Sequence, residues 1–240
     1  MFPDFKNARV LVVGGSSGIG LATAAAFAER GASVTIASRS QEKVDAAVRT
    51  LASAGTVSGA TVDITDDASV AQFMDGATPW DHVVISAAQT PTGPVRQLPL
   101  ADAYAAMNSK FWGAYRVARL VPISEHGSLT LVSGFLGVRP SKASVLQGAI
   151  NAALDALSRG LALELSPVRV NTVSPGLIAT PLWDKLDGAA RKAMFENVAA
   201  RLPAQRIGQP EDVAQAILYL AGTGFATGST VLLDGGGAIG

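Results

Sequence analysis

Short, near-continuous apolar runs alternate with stretches of helical periodicity along almost the whole 240-residue chain. Arg9–Val13 (RVLVV), Ser33–Ala37 (SVTIA), Thr61–Ile64, His82–Ser86 (HVVIS), Ser128–Ser133 (SLTLVS), Val168–Ser174 (VRVNTVS) and Thr230–Asp234 each have the length and branched apolar content of a strand. Between them the pattern predicts helices. The first runs from a glycine loop to about Arg30, with Gly31 as its stop. Others cover about 41–54, a segment capped by Asp66 or Asp67, and about 101–120, 144–165 and 210–222, with a helical stretch across about 181–201. Strands this apolar are buried on both faces, so the alternation predicts an α/β fold with a parallel sheet covered by helices on each side. No linker, repeat or low-complexity segment divides the chain, and one domain spanning 1–240 is expected.

Composition narrows the function classes. Nineteen basic and 19 acidic residues balance to a net charge of +0, which gives no electrostatic footprint for nucleic acid or a membrane surface. The absence of cysteine excludes disulfides, thiolate metal ligation and a cysteine nucleophile, and two histidines are too few for a His-rich metal centre. His82 and His126 are expected to be structural or surface residues, and no metal is expected. The N-terminal run from Met1 enters an apolar strand without the form of a signal peptide. The longest uncharged stretch, Val213–Leu233, is broken by glycines and polar residues, so a soluble, cytoplasmic protein is expected.

The first strand leads into Gly14-Gly15-Ser16-Ser17-Gly18-Ile19-Gly20 at the mouth of the first helix. Glycines there permit a tight turn and close backbone approach, while a helix N-terminus offers free N–H groups and a positive dipole end to a pyrophosphate. Gly14, Ser16, Ser17, Gly18 and Ile19 are the candidate cradle. The second strand ends in Ser38-Arg39, where a carboxylate would suit a ribose 2′-hydroxyl. A hydroxyl and a guanidinium suit a 2′-phosphate instead, so NADP(H) is favoured over NAD(H).

Together with the motifs that follow, these residues make the whole chain resemble the short-chain dehydrogenase/reductase family. Gly14-x-x-x-Gly18-Ile19-Gly20 matches its glycine motif, and Asp63-Ile64 its adenine-contacting segment. Asn108 falls where the long 101–120 helix carries the family asparagine. Asn171 to Thr180, which includes Pro175, Gly176, Ile178 and Thr180, resembles the segment at the nicotinamide end. Arg206 to Ala214, Thr227-Gly228 and Asp234-Gly235-Gly236 complete the C-terminal signature. The resemblance implies a Rossmann-type, doubly wound sheet of about seven strands, a substrate loop at about 181–205, and a homodimer or homotetramer joined through the two long helices. Phe111 and Trp112 suit packing or such a subunit contact.

The family's chemistry uses a serine, a tyrosine that exchanges a proton, and a lysine four residues after it. The Asn151–Leu165 helix segment places Asn151 at the lysine position and Gln147 at the tyrosine position. Independently, Leu129–Gly134 places Gly134 at the serine position, 13 residues before Gln147. Ser141-Lys142-Ala143 imitates the family's Ser-Lys-Ala but would put Val138 at the tyrosine. Four residues after Tyr104, Tyr115 and Tyr219 stand Asn108, Arg119 and Thr223, so no Tyr-x-x-x-Lys occurs in any register. Ser86-Ala87-Ala88-Gln89 replaces the usual Asn-Asn-Ala-Gly; Ala87 and Ala88 keep room for the cofactor, and Gln89 adds a side chain beside the nicotinamide.

Gln147 and Asn151 donate and accept hydrogen bonds but exchange no proton near neutrality. Asn151 is a candidate for the nicotinamide ribose, and Ser133, Ser141, Lys142 and Ser144 are candidates to supply what the substituted positions lack. Asp184 and Lys185 are expected to form a solvated pair. Two functions follow from the resemblance: an NADP(H)-dependent oxidoreductase acting on a small carbonyl or alcohol through a non-standard site, or a catalytically silent relative that serves as a cofactor-responsive binding or oligomer-partner protein.

Overall fold

The computed structural model describes residues 4–240; Met1–Pro3 of the opening run lie outside it. Among the described residues the strands are β1 (Arg9–Val13), β2 (Ser33–Ser38), β3 (Val57–Thr61), β4 (Trp80–Ile85), β5 (Ile123–Val132), β6 (Arg169–Pro175) and β7 (Thr230–Leu233). The helices are α1 (Gly18–Ala28), α2 (Gln41–Leu51), α3 (Asp67–Met74), α4 (Leu100–Ala106), α5 (Gly113–Leu120), α6 (Val145–Glu164), α7 (Gly188–Ala199) and α8 (Pro210–Gly222). The strands form one parallel sheet in the order β3-β2-β1-β4-β5-β6-β7.

Strand periodicity explains the layers. Val10 and Val12 of β1 face a cluster with Phe27 of α1 and Ile217 of α8, while Leu11 and Val13 enter the opposite cluster with Val117 of α5 and Leu154 of α6. Each face is sealed by helices, which is why the strands read as unbroken apolar runs. The order reverses between β1 and β4, so the loops leaving their carboxyl ends diverge and open a crevice there. At the other end of the sheet, Arg169 donates to the last carbonyls of α8, Leu220 at 2.6 Å and Ala221 at 2.5 Å, and so caps that helix.

Four expected elements are corrected. The third strand is Val57–Thr61 and not Thr61–Ile64: β3 is an edge strand held by backbone pairing to β2, and its side chains are mostly exposed. Val62 and Ile64 are buried in the loop that follows, where Ile64 packs against Gly113. The fifth strand starts five residues earlier than the apolar run, at Ile123, because a register shift beside Trp80 accommodates its polar beginning. The 101–120 helix is interrupted by a π-helical segment at Met107–Trp112. The 181–201 stretch divides into a short 3₁₀ turn, Pro181–Trp183, and α7, whose N-terminal N–H groups are accepted by Asp187. Asp66 is the cap of α3.

Candidate functional site

The glycine turn is built by exclusion of side chains. Gly14 has φ +89°, a left-handed conformation, and a Cβ on it would stand 2.5 Å from the Ala87 nitrogen. A Cβ on Gly20 would fall onto the Gly14 carbonyl and lie 2.6 Å from Ser86 Oγ. Gly18, at φ +51°, packs against Thr180, with 3.2 Å left for a Cβ, so the turn meets the loop that follows β6. Ser17 precedes α1 without capping it, which leaves the first N–H groups of that helix to face the crevice. Ile19 is half-buried against the α1 core cluster.

At the end of β2, Ser16 donates its hydroxyl to Ser38 Oγ at 3.0 Å, tying the turn to that strand. Arg39 is exposed, and its charge reaches Asp63. Burial pushes the Asp63 carboxyl up, but hydrogen bonds from Thr65 and the charges of Arg39 and Arg116 outweigh it and hold the pKa below the usual carboxylate value. Ala87 and Ala88 follow β4 beside Gly14, and the Gln89 side chain is exposed while its backbone N–H donates to Ser109 Oγ at 2.7 Å. Gly176 packs on Asp234, with 2.8 Å between a Cβ and its Cα, and its N–H donates to the Leu233 carbonyl. Pro175 ends β6; Ile178 is buried and its carbonyl accepts from Trp183 Nε1 at 2.9 Å.

Asn108, in the π-helical segment, donates to the Thr65 carbonyl at 3.3 Å. Gly134 and Asn151 are brought into direct contact: a Cβ on Gly134 would stand 2.7 Å from Asn151 Nδ2. Gln147 lies one turn earlier on α6 and is half-buried. All three tyrosines are exposed and far from serving as buried proton donors: Tyr104, Tyr115 and Tyr219 expose 68%, 42% and 56% of their surface.

The residue that the sequence reading missed is Lys110. From the π-helical segment it drives its ammonium inward, donating to Asn151 Oδ1 at 2.7 Å and to the Ser133 carbonyl at 2.7 Å. Lys110 and Asn151 are both buried, at 8% and 1% exposure. Burial lowers the Lys110 pKa to about 8, against the opposing pull of Asp155. Burial likewise raises the Asp155 carboxyl, while the Ser133 hydroxyl, Arg159 and Lys110 oppose the rise. The Ser133 hydroxyl and Asp155 Oδ1 are enclosed short of hydrogen-bond geometry. A signal was present: Lys110 stands on the helical stripe of Ala106, Gly113, Ala114 and Val117, all buried.

The other candidates fall elsewhere. Lys142 is exposed in the loop before α6, Ser141 accepts from the Ala143 N–H, and Ser144 is half-buried at the start of α6. Asp184 pairs with Arg191 and not with Lys185. His82 is a packing residue, with Nδ1 2.9 Å from Ser128 Oγ and its ring against Phe5 and Phe27; His126 is exposed. Among the described residues no group of three His, Asp or Glu is placed to hold a metal ion. No described helix is long and apolar enough to cross a membrane.

Comparison with known proteins agrees with this architecture. The family model described as enoyl-(acyl carrier protein) reductase matches residues 13–237. A short-chain dehydrogenase/reductase of Stachybotrys chlorohalonatus is 34% identical over 98% of each chain. The 3-oxoacyl-[acyl-carrier-protein] reductase of Thermotoga maritima is 31% identical over 94% of this chain and 96% of its own. The structure of L-sorbose reductase from Gluconobacter frateurii, complexed with NADPH and L-sorbose, superposes with a TM-score of 0.91 at 25% identity over the full length of both chains. With a Rossmann-type sheet, a glycine turn at its reversal point and relatives matched from end to end, this chain belongs to the short-chain dehydrogenase/reductase family of oxidoreductases.

Proposed function

We propose that this chain binds NADP(H) and catalyses hydride transfer between it and a carbonyl or alcohol substrate, through a site that lacks the family's tyrosine and lysine. The observation that carries the cofactor assignment is the glycine turn. Side chains at Gly14 and Gly20 would collide with Ala87 and with the turn's own backbone, so the chain keeps an open cradle beside the uncapped start of α1. Gly14, Ser16, Ser17, Gly18 and Ile19 would hold the pyrophosphate. Ser38 and the exposed Arg39 would take the 2′-phosphate, Asp63, Ile64, Ala87 and Ala88 the adenosine side, and Pro175, Gly176, Ile178 and Thr180 the nicotinamide side. The NADPH complex of the L-sorbose reductase, matched over its whole length, supports the same cofactor.

When bound, the nicotinamide supplies or accepts the hydride at the substrate carbon. The chain's own residues position and polarise the substrate, and the region at about 181–205, on the same side of the sheet as Thr180, shapes its pocket. The exposed Tyr104, Trp112 and Tyr115 on α4 and its continuation support a homodimer or homotetramer. Fluorescence titration with NADPH and NADH tests the cofactor reading in native protein and in Arg39→Glu. A charge-assisted bond to the phosphate of about 1.5–3 kcal/mol predicts NADPH binding about ten- to a hundred-fold tighter than NADH, with the preference lost in the variant. Tighter NADH binding by the native chain would overturn it.

A further inference from the structure

Two positions that look like losses in the sequence, Gly134 and Asn151, form one unit with Lys110 in the structure. The Lys110 ammonium can only donate hydrogen bonds, so the Asn151 amide must present Oδ1 to it and turn Nδ2 the other way. Nδ2 then points into the space in front of Gly134, where a side chain at that position would need to sit. Among the described residues no acceptor takes the Nδ2 hydrogens, and what stands in front of them is the gap left by the missing side chain at Gly134. Gly134 follows β5 at the carboxyl end of the sheet, the end at which the crevice opens.

We propose that Asn151 Nδ2 is the hydrogen-bond donor to the substrate oxygen, that Lys110 locks the amide in the donating orientation, and that Gly134 provides the room. Asn151 is the catalytic residue of this unit and Lys110 its positioning residue. The inference rests on the oxidoreductase reading above and assigns how its site works. In the reducing direction the electron pair of the nicotinamide C–H bond moves to the carbonyl carbon. The carbonyl π pair becomes an O–H bond with a proton from water, and the nucleotide is left oxidised. The amide stabilises the charge that grows on the oxygen, and the ammonium behind it polarises the N–H outward.

The lysine is held charged by two acceptors and by Asp155 of α6, the ionisable group whose charge favours it; Arg159 acts on Asp155 from the same helix. With burial lowering its pKa to about 8, the lock weakens as pH rises through that value. The decisive variant is Asn151→Asp. It keeps an acceptor for Lys110, and so the structural role, but removes the donor.

The test measures NADPH affinity, thermal stability and NADPH-dependent reduction of three probes (diacetyl, ethyl acetoacetate and cyclohexanone) from pH 6 to 9.5. Asn151→Asp is expected to bind NADPH within about threefold of native and to melt no lower, while reduction falls about 10²–10³-fold. Lys110→Met is expected to reduce more slowly and to lose the decline near pH 8. A second readout needs no turnover: in protein without nucleotide, the Asn151 side-chain NH₂ resonances shift as pH passes 8, and that step vanishes in Lys110→Met. Reduction by Asn151→Asp at the native rate overturns the proposal, as does a native chain that binds NADPH and reduces no probe. Amide resonances flat through pH 8 overturn the lock. Failure to bind NADPH defeats the cofactor reading instead, and the amide resonances still decide the lock.

Discussion

Gly134→Ala is a small change with a large expected cost. Gly134 has φ 163° and ψ 147°, an extended backbone that any residue adopts, so space alone opposes a side chain there. The added Cβ would stand 2.7 Å from Asn151 Nδ2 and 3.3 Å from its Cγ. The amide cannot swing aside freely, because Lys110 holds its oxygen at 2.7 Å. Overpacking costs about 1–3 kcal/mol. Displacing the amide also weakens a hydrogen bond to a buried charge, itself worth about 1.5–3 kcal/mol. We expect Gly134→Ala to destabilise by about 2–4 kcal/mol. Asn151→Ala removes one of the two acceptors of a buried ammonium and is expected to cost a similar amount. In the double variant the new Cβ enters the space that the amide has left, so the combined cost falls short of the sum by at least about 1 kcal/mol. Urea unfolding, with slopes compared to confirm the same exposed surface, measures all four corners. Costs that add to within about 0.5 kcal/mol, or a neutral Gly134→Ala, would refute the coupling.

Restoring the family residues together (G134S, Q147Y and N151K) should fail as a rescue, since a second ammonium at position 151 would be built beside Lys110; adding Lys110→Met should recover a cooperative melt. A triple variant as stable as native would contradict this. His82 predicts part of the acid limb of stability. Burial lowers its pKa from 6.5 to about 4, with Asp81 opposing and Arg169 assisting, so the unfolded chain takes the proton first as pH falls. Stability is therefore lost between about pH 6.5 and 4, by at most about 3 kcal/mol, and His82→Gln should flatten that limb in pH-dependent unfolding. Gly20→Ala, whose methyl would strike the Gly14 carbonyl, should abolish NADPH binding in a fluorescence titration.

The sheet was legible because β1, β4 and the inner part of β5 bury side chains on both faces, and such strands announce themselves as unbroken apolar runs. β3 was not, since an edge strand is specified by backbone pairing while its own Ser58 and Gly59 carry no apolar signal. At the candidate site, positions 134, 147 and 151 were singled out by the register of the family resemblance, and the glycine turn by its place at the first strand–helix junction. Lys110 was missed because the lysine was sought on the helix that usually carries it. The lysine that meets Asn151 comes from a neighbouring segment some forty residues earlier, joined to it only by the fold. Periodicity marked it all the same, as a charge on a buried stripe.

The most direct test of the account is a single turnover. Native protein loaded with NADPH is mixed with the three carbonyl probes at pH 6, where Lys110 is charged, and the fluorescence of the reduced nicotinamide is followed. The account predicts its loss with at least one probe, without any tyrosine in the site. NADPH that binds and stays reduced with every probe would contradict it.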